Sequence, residues 1–121
     1  MQINLEAADN HSIKSYSDSQ IKIQSTLYED SFIVSRNEII IPWPIHSLQE
    51  LNEATMEPLL KFQPEIIIIG HNQPGILAPT AILEQLSKLR IGIECMSIGA
   101  ASRTFNILLS EQRTVVAGFI F

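Results

Sequence analysis

Apolar and polar residues alternate in the first third of the chain and gather into blocks in the last. Ile3 and Leu5 alternate, as do Ile13 and Tyr16, around polar breaks at Asp9-Asn10 and Ser17-Asp18-Ser19. Residues 1–19 therefore read as a weakly structured segment with one or two short strands. Ile21-Lys22-Ile23-Gln24 has the two-residue period of a strand with one wet face, and Leu27-Tyr28 continues it. Ser31 to Ser35 and Glu38 to Ile41 follow across the short spacers Glu29-Asp30 and Arg36-Asn37. Spacers this short force antiparallel neighbours, so residues 20–41 predict a meander. Pro42 and Pro44 end it, because proline donates nothing to a ladder.

A helix is expected from Ser47, with Glu50 three residues on as a capping box, and Pro58 should break it before Lys61. Glu65 to Ile69 is a continuous β-branched run of the kind buried on both faces of a parallel sheet. The loop Gly70 to Gly75 follows. Pro79 then opens a helix with Ile82, Leu83, Leu86 and Leu89 at helical spacing. Ile91 to Met96 is the next strand, Ser97 to Ala101 starts a helix with Ala101, Phe105, Leu108 and Leu109 on one face, and Thr114 to Phe121 is the last strand. The order predicts a single α/β domain over residues 1–121. It should have three layers, with helices on the faces of a mixed central sheet of about five or more strands, and join an antiparallel N-terminal meander to a C-terminal βαβ unit.

Composition narrows the function. The chain has 121 residues, 45% hydrophobic but only 17% charged. So low a charge fraction implies segments buried on both faces or apolar surface kept for a partner. A net charge of -5, with the basic residues scattered, argues against nucleic acid and against an anionic membrane surface. The N-terminus carries no signal-peptide pattern and the longest apolar run, Ile66 to Ile69, is too short to span a bilayer. Cys95 is the only cysteine, so no internal disulfide forms and a reducing, cytoplasmic setting is expected.

Candidate chemistry is sparse. Gly70, His71 and Asn72 stand at the carboxyl end of the central strand, where open α/β sheets commonly hold ligands. No Gly-x-Gly-x-x-Gly or P-loop is present to cradle a phosphate, and the plain alternative is a tight strand-to-helix turn. Ser102, Arg103 and Asn106 lie on the following helix, whose start at Ser97 and Gly99 suits an anion or carbonyl. They either form a pocket with the 70–75 loop or make a structural cluster, with Arg103 paired to Glu94 or Glu111 and Asn106 a satisfied buried amide. No serine has a base set beside it, and one cysteine with three scattered histidines shows no metal-ligand spacing. No cofactor is expected. Trp43, between two prolines, either plugs the core or anchors a partner.

Four features in sequence carry a resemblance. They are the Ile66–Ile69 strand with Gly70, the helix after Pro79, Gly92-Ile93-Glu94-x-Met96, and Ala100-Ala101-Ser102-Arg103-Thr104-Phe105-Asn106-x-Leu108-x-x-Glu111-x-Arg113-x-Val115. Over residues 20–121 they resemble the small uncharacterised α/β family whose mitochondrial member is the complex I assembly factor 3. The resemblance implies a three-layer fold on a mixed sheet, with the last strand antiparallel to its neighbours. It also implies no established enzyme activity and a role exercised through protein contacts. The family's usual Gly-Thr-Gly after the central strand is Gly70-His71-Asn72 here.

Two readings follow. A non-enzymatic scaffold or assembly protein, of the kind serving a respiratory or membrane complex, predicts an exposed apolar patch. A small-molecule binder or weak enzyme predicts a concave site between the Gly70–Gly75 loop and the Arg103 helix. A homo-oligomer joined through short strands or Trp43 is compatible with either.

Overall fold

The computed structural model describes residues 11–121; the expected alternation at Ile3 and Leu5 lies outside them. Eight strands and three α-helices follow one another among the described residues. The strands are β1 (Ile13–Tyr16), β2 (Ile21–Ile23), β3 (Thr26–Tyr28), β4 (Phe32–Ser35), β5 (Ile39–Ile40), β6 (Ile66–His71), β7 (Gly92–Ser97) and β8 (Val115–Phe119). The helices are α1 (Glu53–Leu60), α2 (Thr80–Lys88) and α3 (Ile98–Ser110).

The isoleucine run forms β6, in the interior of a five-stranded sheet of order β5-β4-β8-β6-β7. Ile67 and Ile69 face one core, with Trp43, Ile82 and Leu86; Ile68 faces the other, with Phe105 and Phe119. A strand that must be apolar on both faces has no wet side to alternate with, hence its unbroken apolar sequence. Helices α1 and α2 cover the first face and α3 the second, giving the expected three layers.

β6 pairs parallel with β7 and with β8, while β4 pairs antiparallel with β8 and with β5, so the sheet is mixed. The last strand is thus antiparallel to one neighbour only. Helix α3 carries the chain back across the sheet from β7, and a strand entered through such a crossover comes in parallel to its neighbour.

The expected meander over 20–41 divides. β1, β2 and β3 form a separate antiparallel sheet, and only β4 and β5 join the main one. Leu27-Tyr28 does not extend β2. The chain reverses at Gln24, held at φ 55 in the left-handed region, and returns as β3. A glutamine gives no turn signal of the Asn-Gly kind, so the sequence hid the reversal. The small sheet covers the α3 side of the molecule, where Ile13, Ile21 and Ile23 share a core with Ala101 and Phe105.

Two helix expectations are corrected. Ser47 starts only a 3-10 turn at Leu48–Glu50; its hydroxyl donates to the Glu50 carboxylate at 3.0 Å and caps no backbone amide. The true cap is Asn52, whose side chain accepts from Thr55 N–H while Thr55 Oγ1 accepts from Asn52 N–H. With the start moved to 53, α1 runs through Pro58 instead of stopping before it. In α2, Ile82 and Leu86 are buried, but Leu83 and the C-cap Leu89 are 41% and 53% exposed. The apolar stripe is wider than the core it covers.

Candidate functional site

The two parallel strands β6 and β7 end side by side, with His71 opposite Ser97 in the register. Gly70 and His71 are therefore strand residues, and the loop begins at Asn72. Gly70 is required by packing. A Cβ there would stand 2.7 Å from Phe119 Cδ1 and 2.9 Å from Ala101 Cβ, so α3 and β8 close over it.

Beyond the strand ends the loop is tied on two sides. The Asn72 side-chain NH2 donates to the Asp18 carbonyl in the β1–β2 turn. Gln73 Oε1 accepts from Leu48 N–H at 2.8 Å, and its NH2 donates to Gln49 at 3.3 Å. His71 is buried, with 7% exposure, and its Nδ1 accepts from Gln73 N–H at 3.0 Å. Burial lowers its pKa, since the imidazolium loses hydration that nothing replaces. The neutral ring then carries its proton on Nε2. A groove of about 610 Å³ opens here, walled by Ile76, Leu77, Met96 and Cys95 and bordered by His71 and Ser97. Ser97 is also the N-cap of α3, its hydroxyl oxygen accepting from Ala100 N–H.

The structure does not bring the other expected site residues into this groove. Ser102 is fully buried and donates to Ile98 C=O at 2.8 Å, within its own helix. Arg103 pairs with neither Glu94 nor Glu111; its Nη1 donates to Tyr16 Oη at 2.6 Å and its guanidinium lies 5.9 Å from the centre of that ring. Asn106 accepts from Ile13 N–H at 2.7 Å and donates to Ile13 C=O at 2.9 Å. Arg103 and Asn106 thus fasten β1 to α3. Asn106→Ala is expected to lower the unfolding free energy by about 1–3 kcal/mol, two net hydrogen bonds' worth, in urea denaturation. A change within error would mean that the two bonds do not hold the sheet.

Trp43 is core. It is 2% exposed and its indole N–H donates to Thr55 C=O at 2.9 Å, which removes it as a surface anchor for a partner. Cys95 is half-buried, and burial together with the neighbouring Glu94 carboxylate pushes its thiol up to about 11, so the nucleophilic thiolate is scarce. The three histidines are apart: His11 Nδ1 meets Ser35 C=O, His46 Nδ1 meets Phe121 C=O, and His71 holds Gln73. Among the described residues no group of three His, Cys, Asp or Glu could hold a metal, and no helix is long and apolar enough to cross a membrane. Sequence reasoning placed His71 and Asn72 at the strand end but missed Ile76, Leu77 and Asp18. Two exposed aliphatics ahead of a helix were the only available signal for the wall. The Asp18 contact spans 54 residues and left none.

The fold and its strand-end groove define a small three-layer α/β domain with a mixed sheet. The chain belongs to the family described as Protein of unknown function (DUF498/DUF598), which matches residues 13–120. It is 28% identical over 89 residues to the 13 kDa major membrane protein of Francisella tularensis subsp. holarctica, covering 73% of this chain and 72% of that one. It is 27% identical over 85 residues to NADH dehydrogenase (ubiquinone) 1 alpha subcomplex assembly factor 3 of Drosophila melanogaster, covering 67% of this chain but only 43% of that longer one. The NMR structure of a Xanthomonas campestris protein superposes with a TM-score of 0.82 at 30% identity, covering 89% of this chain and 82% of that one.

Proposed function

We propose that the chain is a one-domain, cytoplasmic, non-enzymatic interaction protein that holds a protein partner during assembly of a larger, membrane-associated complex. The observation that carries this reading is the distribution of exposed apolar residues. Of the eight large hydrophobic residues exposed among the described residues, four (Ile76, Leu77, Leu83 and Leu89) fall within residues 76–89. Leu83 lies on α2, Leu89 at its C-cap, and Ile76 and Leu77 in the loop before it; α2 packs against β7, an edge strand of the main sheet. Apolar exposure gathered on one stretch next to an open strand edge is what a protein-binding face requires. The names of the relatives point the same way, one being an assembly factor and the other a membrane protein.

A pull-down from native lysate comparing the wild type with Leu83→Glu/Leu89→Glu tests the reading. Subunits of one complex should be recovered with the wild type and lost with the double variant. Thermal stability should stay nearly unchanged, since both side chains are solvent-facing. Equal recovery by both forms would remove α2 as the contact.

A further inference from the structure

The groove at the ends of β6 and β7 has a feature that the protein-binding face does not explain. His71 is more than nine-tenths buried, its Nδ1 is committed to Gln73 N–H, and its Nε2 has no partner among the described residues. No buried side-chain polar atom among the described residues is both sealed from solvent and unsatisfied. The Nε2–H therefore opens onto the groove that the ring borders. A donor that opens onto an apolar groove has water as its partner there until a ligand acceptor displaces it.

The surroundings define that acceptor. Ile76, Leu77, Pro74 and Met96 give an aliphatic wall, and the volume of about 610 Å³ falls in the range of small-molecule sites. The polar rim offers both kinds of group. Ser97 Oγ accepts from Ala100 N–H and keeps its own proton for donation, while Asn72 has given its NH2 to Asp18 and keeps Oδ1 for acceptance. The Asp18 carboxylate also borders the groove, and the whole chain carries -5. A carboxylate ligand brings acceptors only and a charge of the wrong sign. A carboxamide brings one acceptor, N–H donors and no charge.

We propose that the groove binds an uncharged carboxamide carried on an aliphatic body. The amide oxygen accepts from His71 Nε2–H, the amide N–H donates to Asn72 Oδ1, and the hydrocarbon lies against Ile76, Leu77 and Met96. The groove shares Ile76 and Leu77 with the face proposed for protein contacts but not Leu83 or Leu89, which line no part of it.

Octanamide and octanoate are the probes, titrated into the 15N-labelled chain and followed by amide chemical shifts. Saturable shifts confined to residues 71–77 and 95–98 are expected, with octanamide binding roughly tenfold more tightly than octanoate, the equivalent of one net hydrogen bond. His71→Phe, which keeps the ring and removes the donor, should weaken octanamide by about the same factor. Leu77→Asp should weaken it as well, and at 83% exposure this substitution leaves folding intact even if His71→Phe does not fold. Leu83→Glu/Leu89→Glu should bind octanamide like the wild type, so failure of one proposal is visible apart from failure of the other. Absence of saturable shifts, shifts elsewhere, octanoate binding as well as octanamide, or unchanged affinity in Leu77→Asp would each overturn the assignment.

Discussion

Trp43→Ala lowers the unfolding free energy by about 3–5 kcal/mol, the usual cost of emptying a large aromatic site. The indole fills the space between the main sheet and α1, with Ile33, Met56, Leu59 and Val116 in the same buried cluster. Its N–H also donates to Thr55 C=O, so truncation removes a hydrogen bond along with the packing. A urea titration reads the loss as a shift in midpoint at constant slope. A loss below about 1 kcal/mol would place the indole at a surface rather than in a core, against the observed burial.

The second large effect comes from the other side of the same contact. Gly118 lies in β8 directly under the indole, and an added Cβ would stand 2.5 Å from Trp43 Cζ3 and 2.7 Å from Cη2. Neither neighbour can yield, since the strand is bonded on both sides and the ring is walled in. Gly118→Ala should cost about 1–3 kcal/mol, the range for overpacking a filled core. Trp43→Phe withdraws the ring carbons that would clash. The double variant Trp43→Phe/Gly118→Ala should therefore be more stable than the sum of the two single losses predicts. Strict additivity would show that the Gly118 penalty arises elsewhere.

What the sequence revealed depended on the range of the interactions involved. The β6 isoleucines and the Ala101, Phe105 and Leu109 stripe of α3 were legible because burial on a sheet or helix face imprints a local period. The Gln24 reversal was not, because a left-handed glutamine is tolerated without any residue advertising it. The start of α1 went to Ser47 in place of Asn52 because both positions satisfy a capping pattern and only tertiary packing decides between them. For the candidate site, the sequence placed His71 and Asn72 at the end of β6, where the groove opens. Of the two alternatives for Asn106, its bonds to Ile13 match the structural one, but that partner lies 93 residues away and leaves no trace near it. Arg103 illustrates the same limit: its hydrogen-bond partner is a tyrosine hydroxyl, not the nearby carboxylates that charge counting favours.

The place of β7 at the rim of the sheet sets a condition on how the molecule behaves in a crowded solution. A strand with one unpaired side is a template for other copies of itself, and repeated pairing of that kind leads to fibres. Between Ile93 and Cys95 stands Glu94, exposed and acidic. When two such strands meet antiparallel about this residue, their carboxylates fall opposite each other, a destabilising like-charge pair. One glutamate thus disfavours antiparallel self-pairing at this rim.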